Sequence, residues 1–347
     1  MEKQVFTGEL AEKVLPGRRP DGHKDDFGRV SITGGSVGFT GAPVLAAYGA
    51  ARSGSGLVFL GVPEPIYPIV AEHCLEVMPS PLPAVHGKIS KDAFFLILER
   101  LNGCDVGLLG PGLGRSQELS KLTSKILEET DTPLVLDADG LYAIKDRKDV
   151  LRKRAEKGLL TILTPHEGEF HYLGGDLTAG REAAALDFAQ KYGCILVLKG
   201  PGTVTALPDG SCYVNTTGNN GMAKGGSGDV LGGMILGLVG QLVASKRSAE
   251  ADTDKMQFPG EGISETAKII IPLLSEAGRI TALAVYLHGL AGDLARTELG
   301  EYGMLPSDLA ARIPAAILEV QHTADRQTKE KEPGKERPVL TEVQKEE

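Results

Sequence analysis

Residues 221–242 read GMAKGGSGDVLGGMILGLVGQL, a glycine-rich run that leads directly into a helical pattern. Apolar residues recur at helical spacing from Val230 to Leu242, which places Asp229 at or beside the helix N-terminus. The free backbone N–H groups and the dipole at such a point favour an anion. A carboxylate beside a phosphate suggests a base for an incoming hydroxyl group. The alternative is a tight turn in which Asp229 only caps the helix.

Composition narrows the class of protein. The chain has 347 residues, of which 41% are hydrophobic, enough for one large domain or two small ones. A net charge of -9 argues against general nucleic-acid binding. The four cysteines lack CxxC spacing, and the polar N-terminus and the absence of any run of about 18 uncharged apolar residues argue against a leader or membrane span. We expect a soluble cytoplasmic protein with no nucleic-acid or membrane partner.

Short β-rich segments alternate with longer helical ones, which favours an α/β fold with a mostly parallel sheet and helices on both faces. Ligands of such sheets bind at the carboxyl ends of the strands, where most of the glycine loops fall. One exception is Thr203 to Val214, where Pro208-Asp209-Gly210 predicts a turn between antiparallel strands. The other predicted strands are 30–33, 57–62, 106–109, 134–139, 161–164 and 195–198, and the first predicted helix is 42–53.

Two regions are predicted to be peripheral. Residues 245–278 have mixed charge, a Pro259-Gly260 break and an apolar stretch, which is typical of an insertion with some helix of its own. Residues 322–347 are rich in Lys, Glu and Pro, so we expect a disordered tail. The predicted domain is therefore 1–321, with its catalytic body within about residues 20–320.

The loop after the strand predicted at 30–33 does not match the common sequence fingerprints of dinucleotide- or nucleotide-binding loops. Gly34 to Gly38 lacks G-x-G-x-x-G spacing, and no acid closes the next strand, so a hydride-transfer enzyme is disfavoured. No GxxxxGK[ST] motif is present either.

Eight motifs in order resemble the ADP- or ATP-dependent NAD(P)H-hydrate dehydratases, relatives of ribokinase, over roughly residues 10–320. They are His23-Lys24 with Gly28, GGSVGFTGA (34–42), GPGLG (110–114), LDADGL (136–141), TPHEGEF (164–170), KGPGT (199–203), GMAKGGSGD (221–229) and YLHGLAGD (286–293). The resemblance implies a ribokinase-like three-layer α/β/α sandwich. Departures are Asp25, where a small residue is usual, and the 245–278 insertion. Since only about 20 residues precede His23, we expect a stand-alone dehydratase without the epimerase domain.

The resemblance also implies a reaction, metabolite repair of nicotinamide nucleotides. The C6 hydroxyl of the S-epimer of NADHX or NADPHX is phosphorylated and phosphate is then eliminated, which restores NADH or NADPH. The expected cofactor is Mg2+, and the expected phosphoryl donor is ADP or ATP. The protein is expected to form a homotetramer and to work with a separate NAD(P)HX epimerase. Alternatives are a small-molecule kinase of the hydroxyethylthiazole or hydroxymethylpyrimidine type, and a non-catalytic nucleotide-sensing or scaffold protein.

Residue roles follow from the same resemblance, and each has a structural alternative. The catalytic base is Asp229; the hydrate contacts are Ala42, Gly112, His166 and Asp229; the nucleotide contacts are Lys199, Gly200, Pro201, Gly202, Thr203 and Gly228; the anion hole is Gly225, Gly226, Ser227 and Gly228. Glu167 and Glu169 are weaker candidates for orienting magnesium-bound water. The alternatives are a plain turn at KGPGT and a loop histidine at His166. Asp137 and Asp139 either support the phosphate region or cap turns, His23 and Lys24 either screen a substrate phosphate or are solvated, and His288 is predicted to be a packing residue.

Overall fold

The structure, a computed structural model, describes residues 2–254 and 265–331. Within them, ten strands form one sheet in the order β1-β12-β11-β10-β9-β8-β7-β2-β3-β4, and β5 and β6 form a separate hairpin. The strands are β1 Glu2–Phe6, β2 Arg29–Thr33, β3 Leu57–Pro63, β4 Met78–Leu82, β5 Ala84–Val85, β6 Lys88–Ile89, β7 Val106–Leu109, β8 Leu134–Leu136, β9 Thr161–Leu163, β10 Ile195–Leu198, β11 Val204–Ala206 and β12 Ser211–Asn215.

Helices cover both faces of the sheet. The α-helices are α1 Gly8–Val14, α2 Gly41–Arg52, α3 Tyr67–Glu72, α4 Phe94–Asn102, α5 Gln117–Glu129, α6 Asp139–Ile144, α7 Asp149–Glu156, α8 Glu167–Tyr172, α9 Arg181–Tyr192, α10 Ser227–Asp254, α11 Glu265–Gly303 and α12 Pro306–Lys331. Short 3-10 helices are Lys24–Phe27, Glu64–Ile66, Lys91–Ala93 and Asn220–Met222. One core contains buried residues of α1, α2, α3, α10, α11 and α12, and the other contains those of α4 to α9. Strand β8 serves both, since Val135 faces the first core and Leu134 and Leu136 face the second. The predicted three-layer α/β/α architecture is confirmed.

The sheet is mostly parallel, as predicted, and its exceptions lie where the turn signal placed them. Strand β11 pairs antiparallel with both β10 and β12. The strand predicted at 134–139 is too long, because β8 ends at Leu136 and α6 already begins at Asp139. The helix dipole stabilises a negative charge in the first turn, so Asp139, the second acid of the LDADGL motif, belongs to the helix and not to the strand.

Two edge strands have weak sequence signals. Strand β1 adds parallel to β12, so the folded body extends further toward the N-terminus than the predicted 20–320. Strand β4, of sequence MPSPL, pairs with β3 and carries Pro79 and Pro81. Proline cannot donate to a ladder and is tolerated at a sheet edge, so a propensity pattern misses such a strand.

The helix that follows the glycine loop is a core helix. Its segment Ser227–Ala249 is long and apolar enough to cross a membrane, but 83% of its most apolar window is buried inside the protein. Glycines on this helix allow close packing, since a Cβ at Gly233 would lie 1.9 Å from the Ala46 carbonyl oxygen of α2. Burial on this scale fixes the position of the N-terminus of α10 relative to the sheet.

The two regions predicted to be peripheral are described only in part. Helix α10 continues to Asp254 and α11 begins at Glu265, so helices enter the predicted 245–278 insertion from both sides; residues 255–264 lie outside the described residues. Helix α12 continues to Lys331, past the predicted start of the tail at 322. Residues 332–347 lie outside the described residues, and their disorder stays a prediction.

The His23-Lys24 segment lies at the edge of the sheet where β2 begins. His23 caps the 3-10 helix Lys24–Phe27, which precedes β2. A Cβ at Gly28 would lie 2.7 Å from the Gly240 carbonyl carbon, eleven residues along α10 from Asp229. At 1.5 Å per residue that is about 17 Å from Asp229. This position favours the solvated alternative over a contact with a phosphate at the carboxyl ends.

Candidate active site

The loops with predicted site residues lie side by side at one edge of the sheet. Strands β10, β9, β8, β7 and β2 are consecutive neighbours, and all four pairings between them are parallel. Their carboxyl ends therefore meet at the same edge, and the loops there begin at residues 199, 164, 137, 110 and 34. Motifs that are up to 165 residues apart in sequence converge on one surface.

The glycine loop, Gly221–Asp229, ends in the first turn of α10. Gly226 immediately precedes the helix and has φ +107, a conformation that other residues rarely adopt. The position has no space for a side chain either, because a Cβ would lie 2.6 Å from Leu45 Cδ1. At Gly225 a Cβ would meet nothing within 4 Å, so the loop is open there. Ser227 is buried and its N–H donates to the Lys224 carbonyl oxygen at 3.3 Å, so of the four predicted anion-hole residues Gly225, Gly226 and Gly228 are the candidates for binding an anion at this helix N-terminus.

Asp229 is the third residue of α10 and its carboxyl group is perturbed. Burial raises its pKa from 3.8 to about 7, with a further rise from the negative charge of Asp137 and an opposing effect of Lys199. The group therefore exchanges a proton near neutral pH, which is the property required of a general base. This favours the catalytic interpretation of Asp229 over simple helix capping.

Lys199 lies at the centre of a charged cluster. Its Nζ is 2.8 Å from Asp137 Oδ1 and 3.7 Å from Glu169 Oε2. Asp137 is almost fully buried and also accepts a hydrogen bond of 2.7 Å from the Thr164 hydroxyl group. Burial alone lowers the pKa of Lys199, but Asp137 and Glu169 attract the cation and the net pKa is raised. Lys199 is therefore a fixed positive charge at the end of β10.

The cluster meets the start of α10. A Cβ at Gly228 would lie 3.3 Å from Lys199 Nζ, and a Cβ at Gly232 would lie 3.4 Å from Asp137 Oδ2. Two predicted nucleotide contacts, Lys199 and Gly228, are thus neighbours. Asp137 lies beside both Lys199 and the start of α10, which favours the predicted role of supporting a phosphate over turn capping.

Asp139, the second acid of the same motif, has a different partner set. Its carboxylate accepts a 2.9 Å hydrogen bond from the Gly114 N–H and a 2.8 Å hydrogen bond from Arg115 Nε. It therefore shapes the GPGLG loop, which favours the turn-stabilising alternative for this residue.

The KGPGT loop, residues 199–203, is closed on itself. The Thr203 hydroxyl donates to the Gly200 carbonyl oxygen at 2.9 Å, while Gly200, Pro201 and Gly202 are exposed. Arg181, which sequence reasoning missed, holds the base of this loop by donating to the carbonyl oxygens of Leu198 and Lys199 at 3.0 and 3.2 Å. Arg181 is the first residue of α9, the helix that precedes β10, and it lies outside every motif quoted from the sequence.

His166 caps α8 and its carboxylate partner joins the Lys199 cluster. The His166 Nδ1 accepts the Glu169 N–H at 3.2 Å, and Glu169 Oε2 accepts the His166 N–H at 2.9 Å. The other face of the imidazole remains accessible, since the His166 side chain is 58% exposed. Glu167 points elsewhere and forms an ion pair with Arg181. Of the two acids predicted to orient magnesium-bound water, Glu169 alone is placed beside Lys199.

The two other predicted hydrate contacts are brought together by the loop after β2. A Cβ at Gly112 would lie 3.1 Å from Ala42 Cβ and 3.0 Å from Phe39 Cβ. The loops are joined by a 2.8 Å hydrogen bond from the Ser36 hydroxyl to the Gly112 carbonyl oxygen. Phe39 is 60% exposed beside this pair, an apolar ring that the motif alone did not single out.

A magnesium ion finds no ready-made protein cage. Among residues 2–254 and 265–331, no group of three or more His, Cys, Asp or Glu side chains is placed to hold a metal ion. Magnesium commonly keeps its waters and is bound by nucleotide phosphates with one or two carboxylates. The residues present fit a magnesium ion bound mainly by nucleotide phosphates and water, with Glu169, beside Lys199, as the carboxylate.

Comparison with known proteins is consistent with this geometry. The family model described as NAD(P)H-hydrate dehydratase matches residues 30–315. The chain is 37% identical over 328 residues to the bifunctional NAD(P)H-hydrate repair enzyme Nnr of Moorella thermoacetica, covering 93% of this chain and 55% of that protein. It is 36% identical over 281 residues to the ADP-dependent (S)-NAD(P)H-hydrate dehydratase of Neisseria meningitidis, covering 79% of this chain and 90% of that protein.

The chain belongs to the NAD(P)H-hydrate dehydratase family. It spans about half the length of the bifunctional relatives it matches, 55% and 52% for the Moorella and Thermofilum pendens proteins. The family resemblance predicted from the eight motifs is confirmed.

Solved structures agree with the family assignment. The ADP/ATP-dependent NAD(P)H-hydrate dehydratase of Bacillus subtilis, co-crystallized with ATP and Mg2+, has a TM-score of 0.66 and 26% identity, covering 91% of this chain and 98% of that one. A ribokinase-like superfamily protein of Enterococcus faecalis has a TM-score of 0.69 and 23% identity, covering 92% of this chain and 97% of that one. The ribokinase-like fold is therefore confirmed, and the small-molecule kinase alternative is not favoured.

Proposed function

We propose that this member of the NAD(P)H-hydrate dehydratase family dehydrates the S-epimer of NADHX and NADPHX at the expense of ADP or ATP. The observation that carries the proposal is Asp229, a carboxyl group with a pKa of about 7 at a helix N-terminus, beside the Lys199 cluster. ADP is the proposed preferred donor, because the Neisseria meningitidis relative is ADP-dependent by name.

Asp229 acts first, as a base. Its ionised carboxylate removes the proton of the C6 hydroxyl group as the oxygen attacks the terminal phosphorus of the nucleotide, and the P–O bond to the leaving nucleotide breaks. Phosphate then leaves C6 with the bonding electron pair while a proton passes from C5 to water, which forms the C5–C6 double bond. Hydroxide is a poor leaving group and phosphate a good one, so the first step makes the second possible.

The remaining residues bind the charge that moves. The N–H groups of Gly225, Gly226 and Gly228 bind the phosphoryl group and Lys199 supplies a fixed positive charge, which together stabilise the transition state. The loop from Gly200 to Thr203 holds the rest of the nucleotide. Ala42, Gly112 and His166 contact the hydrate.

Magnesium is the proposed metal. When bound with the nucleotide it neutralises phosphate charge, and Glu169 is the residue that would orient its waters. A homotetramer, cooperation with a separate NAD(P)HX epimerase and a cytoplasmic location belong to the same proposal. All four cysteines are free, which is consistent with a reducing compartment.

The deciding experiment follows absorbance of the restored dihydronicotinamide. Purified protein is incubated with NADHX, Mg2+ and either ADP or ATP, for the wild type and for Asp229→Asn. We expect turnover by the wild type and none by the variant. A wild type inactive with both donors refutes the dehydratase and favours a non-catalytic protein. A phosphorylated product that accumulates indicates a kinase, and near-normal turnover of the variant refutes the role of Asp229 as the base.

A further inference from the structure

The glycine loop, Gly221–Asp229, and the residues 217–220 that lead into it are docked on one face of α11. In that helix the motif YLHGLAGD, residues 286–293, had no role assigned from sequence beyond the packing of His288. Two of its glycines leave space for the loop, since a Cβ at Gly289 would lie 2.2 Å from Thr217 Oγ1 and one at Gly292 would lie 2.4 Å from Met222 Sδ. The Thr217 hydroxyl donates to the Tyr286 carbonyl oxygen at 2.7 Å. The loop therefore contacts the helix backbone closely over several residues.

Asp293 anchors the beginning of the loop through a chain of hydrogen bonds. Its Oδ2 accepts the Gly218 N–H at 2.8 Å, and its Oδ1 accepts Asn219 Nδ2 at 2.9 Å. The same Asn219 side chain accepts the Gly221 N–H at 2.9 Å through its Oδ1. One carboxylate thus fixes two backbone positions, one directly and the other through an amide.

His288 anchors the end of the loop. Its Nε2 lies 2.9 Å from the Ser227 carbonyl oxygen, in the first turn of α10. Since a carbonyl oxygen can only accept, Nε2 must carry the hydrogen. Burial lowers the pKa of His288 to about 4, so the ring is neutral at physiological pH and keeps this tautomer. The bond is to the residue that directly precedes Gly228 and Asp229.

We infer that His288 and Asp293 are positioning residues for nucleotide binding, which hold the two ends of the glycine loop on α11 so that its N–H groups face the phosphate. The inference rests on the proposed function, and neither side chain needs to contact a substrate. The carbonyl–imidazole bond fixes the orientation of the first turn of α10, while the Asp293 chain fixes the approach to it. A loop released at either end has to be ordered again when nucleotide binds, and that ordering weakens the affinity.

The test measures the dissociation constant for Mg–ADP and Mg–ATP by calorimetry, with the thermal midpoint and dehydratase turnover in parallel. His288→Gln retains an N–H donor at nearly the reach of Nε2, and His288→Leu removes it at similar volume. Loss of one hydrogen bond predicts affinity about five- to tenfold weaker for the leucine variant and within about twofold of wild type for glutamine.

Asp293→Asn tests the other anchor, because an amide can accept only one of the two bonds. We expect nucleotide affinity to fall about tenfold or more, because the new amide nitrogen would face one of the two donors, the Gly218 N–H or Asn219 Nδ2, and could not accept from it. The matched control is Asp176→Asn, a carboxylate that accepts both the N–H and the hydroxyl of Thr178 in the turn before α9. We expect it to leave nucleotide affinity unchanged.

Each outcome decides between a positioning and a purely structural role. Folded His288→Leu protein that binds both nucleotides like wild type refutes the inference, as does a glutamine variant as impaired as the leucine one. If Asp293→Asn does not fold, the His288 pair still decides. Unchanged variants of an active wild type refute the positioning role alone, whereas a wild type that binds neither nucleotide refutes the proposed function as well.

Discussion

Replacing Asp229 by asparagine should abolish turnover and, at the same time, stabilise the unliganded protein in alkaline solution. The carboxyl pKa is about 7 in the folded protein against 3.8 ordinarily, with burial as the main cause. An acid with a raised folded-state pKa binds more protons folded than unfolded between those two values. Stability therefore falls as pH rises from about 4 to about 7, because the charge is harder to accommodate in the folded state.

The magnitude follows from the size of that rise. One pKa unit corresponds to about 1.4 kcal/mol, so a change from 3.8 to about 7 gives an upper bound of about 4 kcal/mol. The carboxyl group is only partly buried, and an effective dielectric constant well above that of a dry interior reduces the figure to about 1 to 3 kcal/mol. We expect Asp229→Asn to raise the thermal midpoint by about 2 to 6 °C at pH 8 and hardly at all at pH 4.

The assay is thermal unfolding of wild type and variant at a series of pH values, with turnover measured alongside. Asp149→Asn is the control, since it makes the same exchange in the first turn of α7 with a side chain that is 74% exposed. We expect it to change stability by less than about 0.5 kcal/mol at any pH. An Asp229 variant that gains no stability at pH 8 would refute the raised pKa of the carboxyl group, and one with near-normal turnover would refute the mechanism.

Three further substitutions give separable results. Asp137→Asn removes a negative charge that raises the pKa of Asp229, so the acid limb of the pH profile of kcat/KM should move to lower pH whatever the maximal rate. Gly228→Ala should fold, because its Cβ meets only the flexible end of Lys199 at 3.3 Å, but titration calorimetry should show at least about tenfold weaker nucleotide binding as the methyl group enters the phosphate site. Arg154→Met should lower the free energy of unfolding in urea by about 3 kcal/mol, since the buried guanidinium donates to three carbonyl oxygens; activity of the folded variant should be unchanged.

Sequence reasoning succeeded where a local pattern carries the information. The start of α10, the starts of the predicted parallel strands and the turn at Pro208 to Gly210 each follow from neighbouring residues. It failed for β4, whose prolines conceal an edge strand, and for Arg181, whose partners are backbone carbonyl oxygens of another element. Backbone carbonyls have no sequence signature, so a side chain that binds them across the fold is found only from coordinates.

The same limit explains why Asp139 and Asp137 could not be told apart beforehand. They are two residues apart after one strand, and either was a candidate for supporting phosphate or capping a turn. The chain enters α6 at Asp139, which aims that carboxylate at Gly114 and Arg115, while Asp137 stays at the strand end against Lys199. The outcome depends on where a three-residue strand stops, and that is decided by packing.

The position of Asp229 connects the stability of the core with the chemistry. Its helix is buried along most of its apolar length, so the first turn cannot shift to relieve an unfavourable charge. The same rigidity keeps the Gly228 N–H, in the first turn of that helix, in place before nucleotide arrives, which reduces the reorganisation needed during phosphoryl transfer. A raised carboxyl pKa is thus a consequence of fixing a base at the end of a core helix beside Asp137. A more mobile or more solvated Asp229 would ionise with less cost to folding, but it would also be a weaker base, with its proton affinity further from that of neutral solution.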